Sequence, residues 1–464
     1  MGTAITSFQE LSELNFHFCC FCRIIHSALA IKAFMREAFL HYIWQHQYFD
    51  KSNLETAEGE PIQVLRTGFY HSDAGPDFKE ALIRIGEVEW SGSVEIHIRA
   101  SDWQRHRHQT DEKYNQVVLH VVWEADEAVL RTDNTSIPTL ELKNRIAPAM
   151  LQKYETLQLA GGAIPCASFW PTVPDITKTM MMERALTERL ELKGAEVTAM
   201  YRNNGNDWEL TAYQLLCKGF GFKLNQEPFE RLAKALPWQV VRRHQQQGMQ
   251  VEALLFGQAG FLNEVKDEYS QQQVREFSFL SYKYSLKAQV MQRHHWNFLR
   301  MRPANFPTVR LSQLAAVLAS HQHLFARLME TSDVKTYEAL FRVPVSAYWQ
   351  EHYDIGKSSK AVQEAIGKSS AQNLIINVVV PLLAGYAHYS QERTYLEKAV
   401  ALLEKLKEDS NRTTRLYEEL GWKARTAADN QAALALYKHY CAPVNCLQCA
   451  VGNKIIKQNN LSVL

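Results

Sequence analysis

Two carboxylates and a histidine are the residues whose types and spacing best fit a chemical role. Asp77 follows Gly75-Pro76, and Glu95 and His97 stand two apart in Val-Glu-Ile-His-Ile. Side chains two apart on a strand share one face, so Glu95 and His97 are expected to point the same way. Paired carboxylates hold Mg²⁺ or Mn²⁺, and a nearby base orients the attacking water. In the alternative interpretation, Asp77 caps a turn and Glu95 pairs with a surface arginine.

The surroundings of these three residues favour the chemical interpretation. Seven of the 17 histidines lie between Met35 and Trp123. His120 lies in an apolar, strand-like run, where a buried polar group needs a partner, although a hydrogen-bonded core histidine is the alternative. The candidate neighbours of the site are Glu37, Asp102, His106, His108, Tyr114 and His120.

The elements that must position these residues form an α+β pattern. From Met35, apolar residues at Phe39, Leu40, Ile43 and Trp44 predict a helix. Strand-like runs follow at Ile62–Leu65, Ala81–Ile85, Val88–Trp90, Val94–Ile98 and Val117–Trp123. Residues 35–145 are therefore expected to form one mixed domain.

The remainder of the chain has a different composition. Residues 146–175 are rich in proline and glycine and are expected to be a linker. Residues 176–464 repeat apolar residues at helical spacing, for example in Leu311–Leu328 and Ala371–Tyr389, and are expected to form a helical domain. Residues 1–34 are expected to be a poorly structured extension, and whether they belong to the native start stays open.

The site motifs resemble an uncharacterised bacterial family, domain of unknown function 2851. The resemblance rests on Gly75–Phe78, Val94–His97, Ser101–Trp103 with the histidines that follow, and Leu119–Val122. It extends from Met35 to about Lys457. The family name implies no activity.

The N-terminal domain also resembles, more weakly, the restriction-endonuclease-like PD-(D/E)xK nuclease superfamily. In that superfamily a helix precedes a mixed sheet, a Pro-Asp pair begins one strand and Glu-x-Lys lies on the next. Pro76-Asp77 and Glu95 match by position, and Glu37 matches a helix glutamate of some members. His97 replaces the lysine; histidine can accept a proton but lacks the permanent charge. A literal Glu141-Leu142-Lys143 lies downstream and is the less favoured match.

This resemblance implies a metal-dependent nuclease, a hydrolase of DNA or RNA phosphodiesters. Asp77 and Glu95 would be ligands of Mg or Mn, and His97 would be a base or an electrostatic aid. Whether the protein is an enzyme stays open at this point. The alternatives are a nucleic-acid-binding module without turnover and a protein-interaction scaffold.

An acid-free segment in the helical half offers a nucleic-acid contact. Between Phe277 and Met329 there is no Asp or Glu but seven Lys or Arg. Arginines fork to phosphates while aromatic rings stack on bases. The candidate contacts are Arg293, Trp296, Arg300, Arg302 and Arg310. In the alternative interpretations the aromatic residues are core and the arginines pair with acids, or the patch binds another anion.

Three cysteines near the C-terminus have the spacing of metal ligands. Cys441, Cys446 and Cys449 form C-x₄-C-x₂-C, and Cys166 is the expected fourth ligand, with His439 as the alternative. Similarity to the iron–sulfur site of some nucleases of the same superfamily implies an iron–sulfur cluster, and Zn is the rival. Three unligated thiols are the remaining interpretation.

Composition and targeting signals exclude several classes of protein. With 46% apolar and 22% charged residues and a net charge of +1, the 464-residue chain is neither disordered nor histone-like. The apolar run Leu374–Tyr386 is too short to cross a bilayer, so no membrane partner is expected. Gly356-Lys357-Ser358 and Gly367-Lys368-Ser369 lack the earlier glycine of a phosphate-binding loop, so no nucleotide triphosphate is expected. Without a signal peptide, a cytoplasmic location is expected.

Overall fold

The computed structural model describes residues 35–360 and 364–458. The predicted extension 1–34, with Cys19, Cys20 and Cys22, lies outside the described residues. The chain divides into two compact units: one holds the residues up to Lys178 and those from Tyr440 onward, and the other is Thr179–His439. A mixed sheet in the first unit and helices in the second give the predicted α+β class.

The first unit begins with helix α1, Glu37–Gln45. Its apolar stripe is buried as predicted, with Phe39, Leu40, Ile43 and Trp44 all fully inaccessible to solvent. The Trp44 Nε1–H donates to the carbonyl of Thr67 at 3.0 Å, which ties the end of the helix to the loop after the first strand. The helix packs against the central strand of the sheet.

The sheet has six strands. They are β1 (Ile62–Arg66), β2 (Phe69–Tyr70), β3 (Phe78–Ile85), β4 (Val88–Arg99), β5 (Val117–Glu124) and β6 (Thr139–Glu141). The order is β1-β3-β4-β5-β6, with β2 also paired to β3. Strands β1, β2 and β4 run antiparallel to β3, whereas β4, β5 and β6 run parallel to one another. The change from antiparallel to parallel pairing therefore occurs at β4.

Strand β4 joins two runs that the sequence predicts as separate strands. The polar stretch Ser91–Ser93 interrupts the apolar pattern, but the backbone continues through it for 12 residues. Gly92 makes this continuation feasible, because a Cβ there would lie 2.4 Å from Val118 Cγ1 and 2.5 Å from the Gln116 carbonyl oxygen. The close approach of the next strand therefore requires glycine.

A short connection links β4 to β5. It contains helix α2, Asp102–Arg105, and the 3₁₀ turns His108–Thr110 and Glu112–Gln116. Trp103 is fully buried and its Nε1–H donates to the carbonyl of Leu130 at 3.1 Å. This anchor fixes the connection on the sheet.

The division into units differs from the expected domains in two places. The expected linker 146–175 lies within the first unit and contains helix α3, Pro148–Gln158, with Tyr154 and Leu157 fully buried. The C-terminal segment, expected in the helical domain, joins the same unit, where the Lys153 Nζ donates to the carbonyl of Gln458. Helix Ala450–Lys457 packs against α3. Proline and glycine content cannot reveal a contact between segments so far apart in sequence.

The second unit is helical apart from the two-stranded pair β7 (His352–Asp354) and β8 (Lys357–Ser358). The α-helices from Asp175 to Leu436 are Asp175–Asn203, Trp208–Phe220, Gln226–Ala235, Trp238–His244, Gly248–Gln258, Glu268–Lys283, Pro307–Ser320, Leu324–Glu330, Val334–Phe341, Ala347–Glu351, Lys368–Leu374, Val380–Ser390, Arg393–Lys405, Arg412–Glu418 and Ala427–Leu436. The single helix predicted over Leu311–Leu328 is two helices, because His323 adopts a left-handed φ of 54° between them.

One helix of the second unit is long and apolar enough to cross a membrane. Lys368–Ser390 passes that test by length and composition, and 61% of its apolar window is buried inside the protein. A mostly buried core helix has the same properties.

Candidate metal centre

The structure brings Asp77 and Glu95 together at one face of the sheet. Asp77 lies immediately before β3, and Glu95 lies on β4. The backbone N–H of Asp77 donates to Glu95 Oε2 at 3.1 Å, and the N–H of Ile96 donates to Asp77 Oδ2 at 2.9 Å. Irregular pairing interrupts both β3–β4 and β4–β5 beside these residues. Such bulges re-aim side chains, and here each carboxylate is held by the backbone of the other strand.

Three histidines converge next to Glu95. His97, His106 and His108 each offer a ring nitrogen, and these atoms all lie within 4.8 Å of one another. His97 Nε2 lies 3.1 Å from His106 Nδ1, and Glu95 Oε1 lies 3.4 Å from His108 Nε2 and 3.6 Å from His97 Nε2. A tetrahedral ion with bonds of about 2.0–2.1 Å holds its ligands about 3.3 Å apart. The distances in this cluster have that spacing.

The connection after β4 directs His106 and His108 to one side. His106 follows the end of α2, and Arg107 adopts a left-handed φ of 63°, which turns the chain between the two histidines. Asp102 holds the start of this turn: its Oδ2 accepts the Arg99 N–H at 3.1 Å, and its Oδ1 pairs with Arg105 at 2.9 Å. Asp102 therefore supports the backbone of the turn.

His120 and Tyr114 fix the rings of the cluster. His97 Nδ1 and His120 Nε2 lie 2.8 Å apart, and His120 is completely buried on β5. Tyr114 stacks on His108 with ring centroids 3.8 Å apart. A metal-binding histidine commonly bonds through its second nitrogen to a partner that sets its tautomer. His120 is placed to do this for His97.

Helix α1 contributes two further groups, Glu37 and His41. His41 Nε2 lies 3.2 Å from Asp77 Oδ2. Burial raises the pKa of Glu37, while nearby His106 and His41 act in the opposite direction. The sequence predictions include Glu37 but miss His41, although residues four apart on a helix share a face. That spacing is the signal that could have identified it.

The electrostatics of the cluster keep its imidazoles neutral. Burial, reinforced by the neighbouring histidines, lowers the pKa of His97 to about 2. The same causes lower the pKa of His108 to about 4 and that of His120 to about 3. Burial and then the charge of Asp77 raise the pKa of Glu95 to about 9. Neutral imidazole is the form that binds metals.

The donor set fits a divalent transition metal. Among the described residues, the Nε2 atom of His108 is buried without a hydrogen-bond partner while facing the Glu95 carboxylate. Imidazole ligands suit Zn, Mn, Fe, Ni or Cu, whereas Mg²⁺ prefers an all-oxygen set. Of the two expected ions, the geometry therefore favours Mn over Mg.

A comparison with family models identifies the family. The model described as "Protein of unknown function (DUF2851)" matches residues 37–412, which is most of the chain. The chain belongs to this family. No curated protein and no solved structure matches.

The second cluster of this DUF2851 protein consists of four buried cysteines in the first unit, partly beyond the matched residues. Cys166 begins the turn Ala167–Thr172, and Cys449 begins helix Ala450–Lys457. Burial and then Cys441, Cys449 and Cys446 raise the pKa of Cys166, and burial with Cys449 and Cys441 raises that of Cys446 to about 12. Thiols affect one another in this way only when they are close. The structure thus brings the four predicted cysteines together.

In the second unit, three of the five predicted nucleic-acid contacts are used internally. Arg293 pairs with Asp354 at 2.8 Å and lies over the ring of Phe298. Trp296 is buried, and its Nε1–H donates to the carbonyl of Ala259 at 2.9 Å. Arg310 is also buried, and its contacts are described below.

Arg300 and Arg302 are the two predicted contacts that remain exposed. The downstream Glu141-Leu142-Lys143 has a local role in the sheet. Glu141 Oε2 accepts the Ala125 N–H at 2.9 Å, and Lys143 pairs with Glu124 at 3.0 Å. This pairing matches the surface-strand interpretation of that motif.

Proposed function

We propose that this protein is a metal-dependent phosphodiesterase of the nuclease type, acting on DNA or RNA. The observation that carries the proposal is the convergence of three neutral imidazoles and Glu95 beside Asp77. Few structural roles require a buried cluster of this kind, because each of its groups loses solvation without a full set of protein partners.

The topology around the centre supports this proposal. A helix precedes an antiparallel group of strands, and parallel strands follow, with Asp77 before one strand and Glu95 on its neighbour. This arrangement resembles the helix and mixed sheet of the PD-(D/E)xK nucleases. The position of Glu37 on α1 agrees with the helix glutamate of some members.

The protein residues would share the work as follows. His97, His106, His108 and Glu95 would hold a divalent ion, with Asp77 next to them. The ion, when bound, would supply Lewis acidity and neutralise charge on a phosphate. His120 would keep the second nitrogen of His97 occupied, and Tyr114, whose pKa burial raises to about 12, would stay protonated as a hydrogen-bond donor.

The replacement of the superfamily lysine by His97 changes how the charge is supplied. His97 is 2% exposed and neutral, so it cannot stabilise a phosphate through its own charge. We therefore assign it to the metal-binding set. The positive charge would come from the ion itself, which agrees with the number of histidines around it.

The four-cysteine cluster would hold a second, structural metal site. Four thiolates suit either an iron–sulfur cluster or Zn²⁺. Cys166 is favoured over His439 as the fourth ligand, because its pKa responds to all three C-terminal thiols. Such a site would fasten the C-terminal segment to the turn after α3.

Cleavage of labelled oligonucleotides tests the proposed activity. Single-stranded and duplex DNA and RNA are incubated with Mn²⁺ and the wild-type protein, Glu95→Gln or Asp77→Asn. Both variants should lose cleavage by about a hundredfold or more, because each removes a charge at the centre. Glu89→Gln is the matched control, since Glu89 lies on the same strand but is exposed and pairs with Arg84.

The outcomes separate the alternatives. Cleavage that is unchanged in both site variants would place the activity elsewhere. Wild-type protein that binds the oligonucleotides but does not cut them with Mn²⁺ or Zn²⁺ would favour the binding module. Neither binding nor cleavage would favour the scaffold.

A further inference from the structure

A cavity in the second unit is built around a buried arginine. Its volume is about 320 Å³, and it lies between the end of helix Trp208–Phe220, the start of helix Pro307–Ser320 and the first turn of helix Lys368–Leu374. Arg310 lines it and is only 8% exposed. The acid-free segment noted in the sequence thus supplies one wall of this cavity.

The guanidinium of Arg310 has only neutral partners. It donates to Gln313 Oε1 at 2.8 Å, to Asn305 Oδ1 at 2.6 Å and to Ser370 Oγ at 3.3 Å. No Asp or Glu of the described chain lies within ion-pair distance of it or lines the cavity. Burial lowers the pKa of Arg310 to about 10, which leaves it charged at neutral pH.

A buried cation without a counter-ion is costly, and proteins rarely keep one without a reason. Arginine carries five N–H donors, and the three hydrogen bonds named above leave two of them for another partner. The missing partner would be an anion that enters the cavity. Arg310 is therefore the feature that points to a ligand.

The rest of the cavity suits an oxyanion on an apolar molecule. Ser369 and Ser370 lie in the first turn of the continuous helix Lys368–Ser390, which has no acidic residue there, and Lys223 is an exposed cation in the cavity lining. The ring of Phe222 lies 4.3 Å from the Arg310 guanidinium carbon. Phe222 holds a left-handed φ of 47°, which is unusual for a bulky residue and places its ring beneath the charge.

We infer that this cavity binds the phosphate or carboxylate group of a small molecule with a planar apolar part, and that Arg310 is the anion's main partner. The forked donors of arginine match both oxyanions. The volume accommodates a ligand of that size, and Phe222 offers a face for its apolar part. This site does not depend on the proposed nuclease activity, and its test does not measure cleavage.

Calorimetric titration of the full chain tests the inference with phenyl phosphate, benzoate and neutral benzamide. Wild-type protein should bind at least one of the two anions and not benzamide. Arg310→Gln should weaken this binding by at least about tenfold, because it removes the charge and the fork. Lys335→Ala removes an exposed cation of the same unit that does not line the cavity, and it should bind as the wild type does.

Ser370→Asp gives a second test that does not depend on whether Arg310→Gln folds. A carboxylate at this position would become the internal counter-ion of Arg310, so it should raise the melting temperature and abolish anion binding. Ser370→Asn has the same size without the charge and should bind more tightly than Ser370→Asp.

The choice of anion identifies the ligand class. Preference for phenyl phosphate supports a phosphate ligand, and preference for benzoate supports a carboxylate ligand. Wild-type protein that binds neither anion, or Ser370→Asp that binds as the wild type does, would overturn the inference.

Discussion

The centre on the sheet depends on which nitrogen of each histidine is free. His97 uses Nδ1 toward His120, so its Nε2 faces His106 and the Glu95 carboxylate. The sequence indicates that Asp77, Glu95 and His97 belong together, because strand spacing fixes their shared face. It cannot indicate that His106 and His108 join them, since that depends on the left-handed turn at Arg107.

A substitution of His120 tests its role as a positioning residue. His120→Leu removes the partner of His97 Nδ1, so the affinity for Mn²⁺ should fall by about 10–100-fold. His120→Gln can still accept a hydrogen bond and should recover most of the affinity. Calorimetric titration with Mn²⁺ measures both, with His46→Asn as an exposed control on α1. Equal affinity of His120→Leu and the wild type would show that His120 only fills space.

Local patterns in the sequence predict the elements well, but pairing between distant elements lies beyond them. The stripe of α1 and the strands β3 and β5 follow from apolar periodicity. The continuity of β4 depends on how closely Gly92 approaches Val118, and the short strand β6 pairs with β5. Neither contact leaves a mark in the local pattern.

The four-cysteine cluster yields a prediction about two distant elements. A thiolate site stabilises a fold only while its metal is bound. Cys446→Ser should therefore lose bound iron or zinc and melt at a lower temperature, and chelation should do the same to the wild type. Cys217→Ser alters a buried cysteine of the second unit and should retain the metal.

Elemental analysis and visible absorbance after anaerobic purification measure the outcome. Broad visible absorbance would indicate an iron–sulfur cluster, and stoichiometric zinc without colour would indicate the simpler site. Wild-type protein without either metal would contradict this second site.

The whole molecule has a net charge of only +1, so binding to a polyanion must come from local surfaces. The sequence marks the acid-free segment as such a surface by composition alone. In the structure, Arg293 is paired with Asp354 and Arg310 is buried, which leaves Arg300 and Arg302 exposed. Composition counts charges but cannot tell which of them reach solvent.

Salt dependence tests whether this surface contacts nucleic acid. Arg300→Ala combined with Arg302→Ala should weaken oligonucleotide binding at low salt. It should also flatten the slope of log affinity against log salt by about one to two units, since each lost phosphate contact releases fewer counterions. Fluorescence anisotropy across a salt series measures this, with Lys335→Ala as the control. An unchanged slope would assign both arginines to other roles.

The central claim is that His97, His106, His108 and Glu95 hold one divalent ion beside Asp77. The most direct test is anomalous X-ray diffraction from crystals of the full chain grown with Mn²⁺. The account predicts one strong anomalous peak within bonding distance of those histidine nitrogens and the Glu95 carboxylate, and its loss in a His97→Ala, His108→Ala double variant. Well-ordered wild-type crystals with no peak there, or with manganese bound only elsewhere, would contradict it.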